Sequence, residues 1–221
     1  SLVLARAWVH IHESQVIDVT GSARKNVRSD LVIWRSRFAV EDESLGGAND
    51  KLKAALVTVE QFLRQKGVKE FELLPVQIRE ITARGRSDDD EVVTKRIGYQ
   101  LTQAIEVRSD DVDNTPRLSR EAAQLLGEGV ALMSESTQFL YTNAGQAKVE
   151  MMAEATKDAR TRADQIASQG NRRVQELRSA RMGVVQVNPL YSTATSWEGN
   201  NDTSSLEKTI TVTVSAVFAL K

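Results

Sequence analysis

The chain has 221 residues, with 29 Lys and Arg against 30 Asp and Glu, two His, no Cys and 41% hydrophobic side chains. The lack of cysteine excludes disulfide frameworks, zinc ribbons, thiol nucleophiles and iron–sulfur ligation, and a formal net charge of -1 leaves no electrostatic footprint for nucleic acid. The apolar fraction is that of an ordinary folded chain, and the length fits one domain or two small halves sharing a core.

The first stretch, Leu2-Val3-Leu4-Ala5-Arg6-Ala7-Trp8-Val9, is apolar but interrupted by Arg6. A membrane-crossing helix needs about 20 mostly apolar residues, so this run is too short. Two readings stay open. It is either a first element packed on the domain or a stub following a removed signal or anchor. Arg6 and Trp8 favour the stub, being residue types that suit a membrane–water boundary. We therefore expect membrane contact only through an N-terminal segment absent from this chain. Residues 1–15 read as a juxtamembrane or linker segment, and 16–221 as the folded domain.

Val16 to Thr20 is short, β-branched and alternating, and reads as a strand before Gly21. From Leu31 to Val40, Val32, Trp34, Phe38 and Val40 share one face with Ser36, while Arg35 and Arg37 share the other. Glu41 to Asn49 reads as a turn closing this hairpin. Asn49 or Asp50 then caps a helix with Leu52, Leu56, Val59 and Leu63 on one stripe, stopped by Gly67. Phe71 to Ile81 alternates as a strand with Leu74, Val76 and Ile78 on one side, and Pro75 marks an edge or bulge. Arg84 to Arg96 reads as an exposed connection, followed by a strand through Tyr99, Leu101, Ile105 and Val107. Thr115-Pro116 starts a helix running through Ala122, Leu125 and Leu126 to Gly127 or Gly129. Phe139 to Tyr141 reads as a short strand.

The longest predicted helix spans Ala144 to Gln169 and ends at Gly170. Met151, Ala155, Ala159, Ala163 and Ala167 recur at four-residue steps, a ridge of small side chains that lets a helix axis approach a sheet closely. A shorter helical piece around Val174 and Leu177 is expected next, then a strand at Val184 to Val187. Leu190 to Leu206 is a long polar loop carrying Tyr191 and Trp197. The closing strand puts Ile210, Val212, Val214, Ala216, Phe218 and Leu220 on one face, with Thr209, Thr211, Thr213 and Ser215 on the other. The expected fold is α+β: a mixed, mostly antiparallel sheet with helices packed on one face, in two β-β-α-β-like halves.

Little in the sequence points to catalysis. His10 and His12, beside Glu13, are the only imidazoles. They sit at i and i+2, but a closed metal site needs more ligands than this pair supplies. From residue 13 onward no imidazole is available for acid–base work, so no Ser-His-Asp arrangement can be assembled. Asp88-Asp89-Asp90-Glu91 and Asp110-Asp111-x-Asp113 lack the spacing of a calcium loop and read as solvated charge. Gly127-Glu128-Gly129 lacks the third glycine of a dinucleotide fingerprint and ends a helix instead of opening one. Arg172-Arg173 reads as a surface pair. We expect no enzyme, no metal and no cofactor. Trp197 and Tyr191 are the candidate interaction residues, because exposed aromatics are enriched at protein interfaces; the open alternative is that Trp197 folds back on its own domain.

Two local patterns carry a family resemblance. Val19-Thr20-Gly21-Ser22-Ala23, followed by Val27-Arg28-Ser29-Asp30-Leu31, resembles the V-x-G-x-A strand and V-x-x-D-L strand start of bacterial SIMPL-domain proteins. Glu150-Met151-Met152-Ala153-Glu154-Ala155-Thr156, continuing through Ala159-Arg160 and Ala163 to Ala167, is similar to that family's long Ala-rich helix. The closing strand, Lys208 to Leu220, also fits, and the 190–206 loop is where this chain departs. The resemblance covers about residues 16 to 221. It implies an α+β protein of the periplasm, exported or tethered by an N-terminal hydrophobic segment. It also implies links to oxidative-stress defence and large oligomers in some members, and no established catalytic residues. The function expected is therefore self-association or a protein partner; the alternative is a small-ligand domain with a pocket between helices and sheet, near the Ala ridge.

Overall fold

The computed structural model describes residues 15–86 and 92–221. The readings placed on Arg6, Trp8, His10, His12 and Glu13, and on Asp88 to Glu91, fall outside those residues. In chain order the elements begin with β1 (Val16–Arg28), β2 (Leu31–Asp42), α1 (Leu45–Gln65), β3 (Glu72–Leu73), β4 (Gln77–Arg86) and β5 (Val92–Ser109). A broken helical stretch follows, containing α2 (Leu118–Glu121) between 3-10 turns at Thr115–Arg117 and Ala122–Glu128. Then come β6 (Met133–Ser134), β7 (Gln138–Leu140), α3 (Ala144–Gln169), β8 (Val174–Met182), β9 (Gln186–Pro189) and β10 (Glu207–Leu220). The described residues form two compact units, one of 15–29 with 141–221 and the other within 30–140. Among the described residues no helix is long and apolar enough to cross a membrane.

In the first unit, β1 runs antiparallel to β10 from Val16↔Ala219 to Arg28↔Glu207. β8 and β9 share the other edge of β10. α3 lies on one face with Ala147, Met151, Ala155, Ala159, Ala163 and Ala167 buried. They pack against Val19, Ala23 and Val27 of β1 and Ile210 to Phe218 of β10. Gly21 sets the spacing: a Cβ there would stand 2.1 Å from the Ala155 carbonyl oxygen and 2.3 Å from the Ala159 nitrogen. Backbone therefore meets backbone at this point. The Ser22 N–H, on the free edge of β1, donates to Asp158 Oδ2 at 2.8 Å. That bond is the main reason the Asp158 carboxyl titrates below its usual range.

In the second unit, β2 and β5 form the antiparallel centre, from Val32↔Ser109 to Asp42↔Tyr99. β3 and β4 flank β5, and β6 and β7 flank β2. α1 starts at Ser44, whose hydroxyl accepts from the Gly47 N–H at 3.0 Å. Asp42 braces that cap by accepting from the Ser44 N–H, and its carboxyl is held at about 2, by this bond first and by Lys51 next. Ala48, Leu52, Val59, Phe62 and Leu63 of the helix join Trp34, Phe38, Leu101, Ile105 and Val107 of the sheet in one core. Ser36 is buried among them, where the alternation of β2 puts it.

The α+β class holds, with its strands divided between two sheets of antiparallel ladders instead of one layer. The compact units are not successive halves either, because residues 30–140 stand in sequence between the two pieces of the other unit. β1 continues through Gly21, since the glycine is there for helix contact and not for a turn. α1 begins before Asn49, so Gly46-Gly47 form its first turn. The expected strand over 71–81 splits into β3 and β4 around Pro75, and Val76 and Ile78 are exposed. β4 and β5 extend into the charged stretch from Arg84 to Arg96. The helical piece expected at Val174 and Leu177 is instead the strand β8, paired with β10 through two register shifts. Those bulges spoil the two-residue period and leave an i, i+3 spacing that imitates a helix. Ala144 to Gln169 and its Gly170 cap stand as expected.

Adding a methyl group at Gly21 tests the helix contact. Gly21→Ala should cost about 3 kcal/mol, because neither α3 nor β1 can withdraw its backbone cheaply. Gly46→Ala, with nothing within 4 Å of the new Cβ, should be neutral or stabilise by up to about 1 kcal/mol. Urea denaturation of both variants measures the contrast.

Candidate functional site

The loop after β9 has the composition of a flexible segment, yet buried polar groups tie it down along its length. Gln186 is buried, and its Nε2 donates to the Ser196 carbonyl at 2.8 Å. Its Oε1 accepts from the N–H groups of Ser196 (3.2 Å) and Asn200 (2.9 Å). Asn188, two residues on and also buried, donates to the Ala194 carbonyl at 2.7 Å and accepts from Asn200 Nδ2 at 2.8 Å. Val187 exchanges backbone hydrogen bonds with Asn200 and Asp202, the one isolated parallel bridge among the described residues.

Lys208 anchors the far end. It is only 1% exposed, and its Nζ donates to the Asp202 carbonyl at 2.6 Å and to Asp202 Oδ2 at 3.2 Å. Burial works against the Asp202 charge. Hydrogen bonds from Ser204, Ser205 and Lys208 outweigh it and hold the carboxyl at about 2.

Trp197 occupies the outermost turn of this tied loop. The Gly199 N–H closes the turn onto the Ser196 carbonyl at 3.2 Å. Gly199 adopts a φ of 88°, and a Cβ there would lie 2.7 Å from both Val184 Cγ1 and the Val185 carbonyl oxygen. The turn thus backs directly onto the chain before β9, and only glycine fits that position. The indole points outward, 96% exposed. Beside it lies a shallow groove of about 380 Å³ lined by Val184, Gln186, Thr195, Ser196, Thr211 and Thr213. Tyr191 is on the same loop and 87% exposed, but it does not line the groove. Of the two aromatics the sequence singles out, the structure places one at a concave surface. The alternative in which Trp197 folds back is corrected, because its turn is held away from the core by Gln186 and Gly199.

The remaining candidates resolve as follows. The Ala ridge packs directly against the sheet, with Gly21 in backbone contact with Ala155 and Ala159. A cleft of about 510 Å³ lies instead in the other unit, past the end of α1, with Lys66, Lys69, Arg108, Asp110 and Asp111 among its walls. Asp111 is occupied by the N–H and side-chain amide of Asn114, which hold its carboxyl below the usual range. Gly129, at a φ of 80°, caps the broken helix. Arg173 immediately precedes β8, where its backbone pairs with Lys221. Among the described residues no three His, Cys, Asp or Glu side chains are grouped to hold a metal ion. Glu106 is the most buried carboxylate described, and burial alone would raise its titration. The Nε groups of Arg35 and Arg108 each donate to one of its oxygens, and together they pull it below its ordinary range.

Sequence reasoning missed Gln186, Asn188, Asp202 and Lys208. The available signal was two amides at i and i+2 in an apolar strand, just before Pro189.

The family described as SIMPL, "Protein of unknown function (DUF541)", matches residues 17–218. No curated protein matches the chain.

The Asp202 clamp carries a pH signature. Its folded carboxyl titrates at about 2 against an ordinary 3.8. The stabilisation is therefore complete above the ordinary value and lost as pH falls through the folded one. Asp202→Asn should cost about 2 kcal/mol near neutral pH, and the difference from the parent chain should vanish towards about pH 2. Urea midpoints across that range measure it.

Proposed function

The chain belongs to the SIMPL family, and on that premise we propose that it is a non-enzymatic protein of the periplasm that works by docking. The docking surface is the Trp197 loop, and exposed aromatics by themselves point to a second copy of the chain or to another protein as the occupant. The observation that carries this reading is the 96% exposure of Trp197 on a loop fixed by Gln186, Asn188 and Lys208. An aromatic anchor held in place before contact loses little conformational freedom on binding, and most of its burial goes into affinity. Tyr191 offers a second such group on the same loop.

Two features favour docking over catalysis. The buried ionisable groups are spent on each other: Glu106 is held as an anion between two guanidinium groups, and Lys208 is committed to Asp202. From Gln15 onward the chain contains no histidine. The proposed periplasmic setting, N-terminal tether and place in envelope or oxidative-stress defence rest on the family resemblance alone.

The cleft past α1 favours a second reading, a small-ligand domain with its pocket between helix and sheet. Its volume suits a small molecule. Its walls mix Lys69 with Asp110, so any ligand would carry both charges or neither.

Light scattering at micromolar concentration separates the possibilities. Self-association predicts a mass that is a multiple of the 24.5 kDa chain, and a shift towards the single chain in Trp197→Ala. A single-chain mass for both proteins would overturn self-association as the mode of action.

A further inference from the structure

We propose that the groove beside Trp197 binds a neutral, β-linked glycan chain, with the indole stacked on one pyranose ring and threonine hydroxyls meeting the sugar hydroxyls. This inference rests on the reading of the Trp197 loop as the working surface, and it names the occupant.

The lining chemistry selects the ligand class. None of the seven residues at the groove, Trp197 included, is ionisable, in a chain that is 27% charged. The lining itself supplies no counter-charge to a phosphate, carboxylate or ammonium group seated on it. What the groove offers is one bare aromatic face and a set of neutral hydroxyls. The side chains of Thr195, Thr211 and Thr213 have no hydrogen-bond partner among the described residues, whereas the Gln186 amide spends both acceptor sites and one of its two N–H donors in holding the loop. A pyranose with equatorial hydroxyls has the matching shape: flat C–H faces for stacking and a polar rim for hydrogen bonds.

A second observation extends the site beyond one ring. Thr211, Thr213 and Ser215 alternate along β10 on the face turned away from α3. Ser22 and Thr20 of β1 lie opposite Thr213 and Ser215, and the hydroxyls of Thr20 and Ser215 approach to 3.4 Å. A strip of hydroxyls therefore leads from the groove across the open side of the sheet, with Arg24 paired opposite Thr211 and Arg181 opposite Ser215. The strip from Thr211 to Ser215 is roughly 13 Å long, which is polymer geometry.

Isothermal titration of the whole chain with chitotetraose and with cellotetraose tests the assignment. At least one should bind. Tighter binding of chitotetraose assigns an N-acetylated sugar, and equal binding assigns recognition of the glucose-type ring face alone. Trp197→Ala should weaken binding by roughly tenfold or more, and Trp197→Phe, which keeps an aromatic face, should recover part of it. The double variant Thr211→Val, Thr213→Val keeps the branched strand shape and should weaken binding several-fold. Urea midpoints like the parent's would show that these surface changes leave the fold intact. Heparin, an anionic chain, should bind no better than the neutral sugars. The proposal is overturned if neither tetrasaccharide binds at millimolar concentration, if Trp197→Ala binds like the parent, or if only heparin binds. Should self-association depend on Trp197 while both sugars fail, the loop docks protein and the glycan assignment alone falls. If Trp197→Ala changes neither property, both readings fall.

Discussion

The contact of Gly21 with the backbone of α3 sets the geometry of the unit that carries the candidate site. A side chain at that position would collide with Ala155 and Ala159, so its absence is what lets the helix lie close against β1. The small ridge on α3 follows from the same constraint. Alanine at each four-residue step removes the bulk that would otherwise separate the layers, at the cost of apolar area per turn. The larger side chains needed for the core therefore come from β10, where Ile210, Val212, Val214 and Phe218 are fully buried. With α3 occupying one face of that sheet, the threonines of β10 are left on the other. The open hydroxyl face is a consequence of where the helix goes.

The loop after β9 solves a different physical problem. Seventeen residues without regular structure carry many backbone groups that secondary structure would normally pair. Here side chains from neighbouring strands pair them. Gln186 and Asn188 reach into the loop with amides that donate and accept at once, a capacity that hydroxyls and charged groups do not combine in the same geometry. Lys208 reaches in from the opposite side and meets both the carbonyl and the carboxylate of Asp202. Each group would be costly to bury alone and is affordable only because its partner is present. The result is a loop with the order of a core and the composition of a linker.

The sequence made the long-range periodic elements legible and hid those whose period is interrupted. α3 could be read to its ends because its alanine ridge and Gly170 give one consistent signal, and β10 could be read because five buried side chains alternate without a break. β8 looks helical in the sequence because two register shifts remove its alternation. The start of α1 is hidden in the sequence because Gly46-Gly47 looks like a turn, although Ser44 and Asp42 supply a cap strong enough to carry a glycine pair into a helix. At the site, the exposure of Trp197 was a choice between two readings that composition alone left balanced. What decides it, the amide ties and the close seat of Gly199 on Val184 and Val185, depends on residues brought together only by folding. No spacing within the loop encodes them.

Most side chains in the first unit obey the usual partition of apolar inside and polar outside, and the informative ones are those that reverse it. Lys208, Gln186 and Asn188 are inside; Trp197 is outside. The two reversals are linked, because the buried polar groups hold the very turn that bares the indole. A chain under pressure only for stability would have little reason to keep either, since a shorter loop would remove the need for the ties and a polar residue at 197 would remove the exposed ring. Local rules broken together, and each requiring the other, are the observation on which the proposed docking role rests. The uncharged lining then narrows what that contact is with. The lining itself carries no charge, so the proposed recognition there rests on shape, stacking and neutral hydrogen bonds, the means by which a protein distinguishes one uncharged polyol from bulk water.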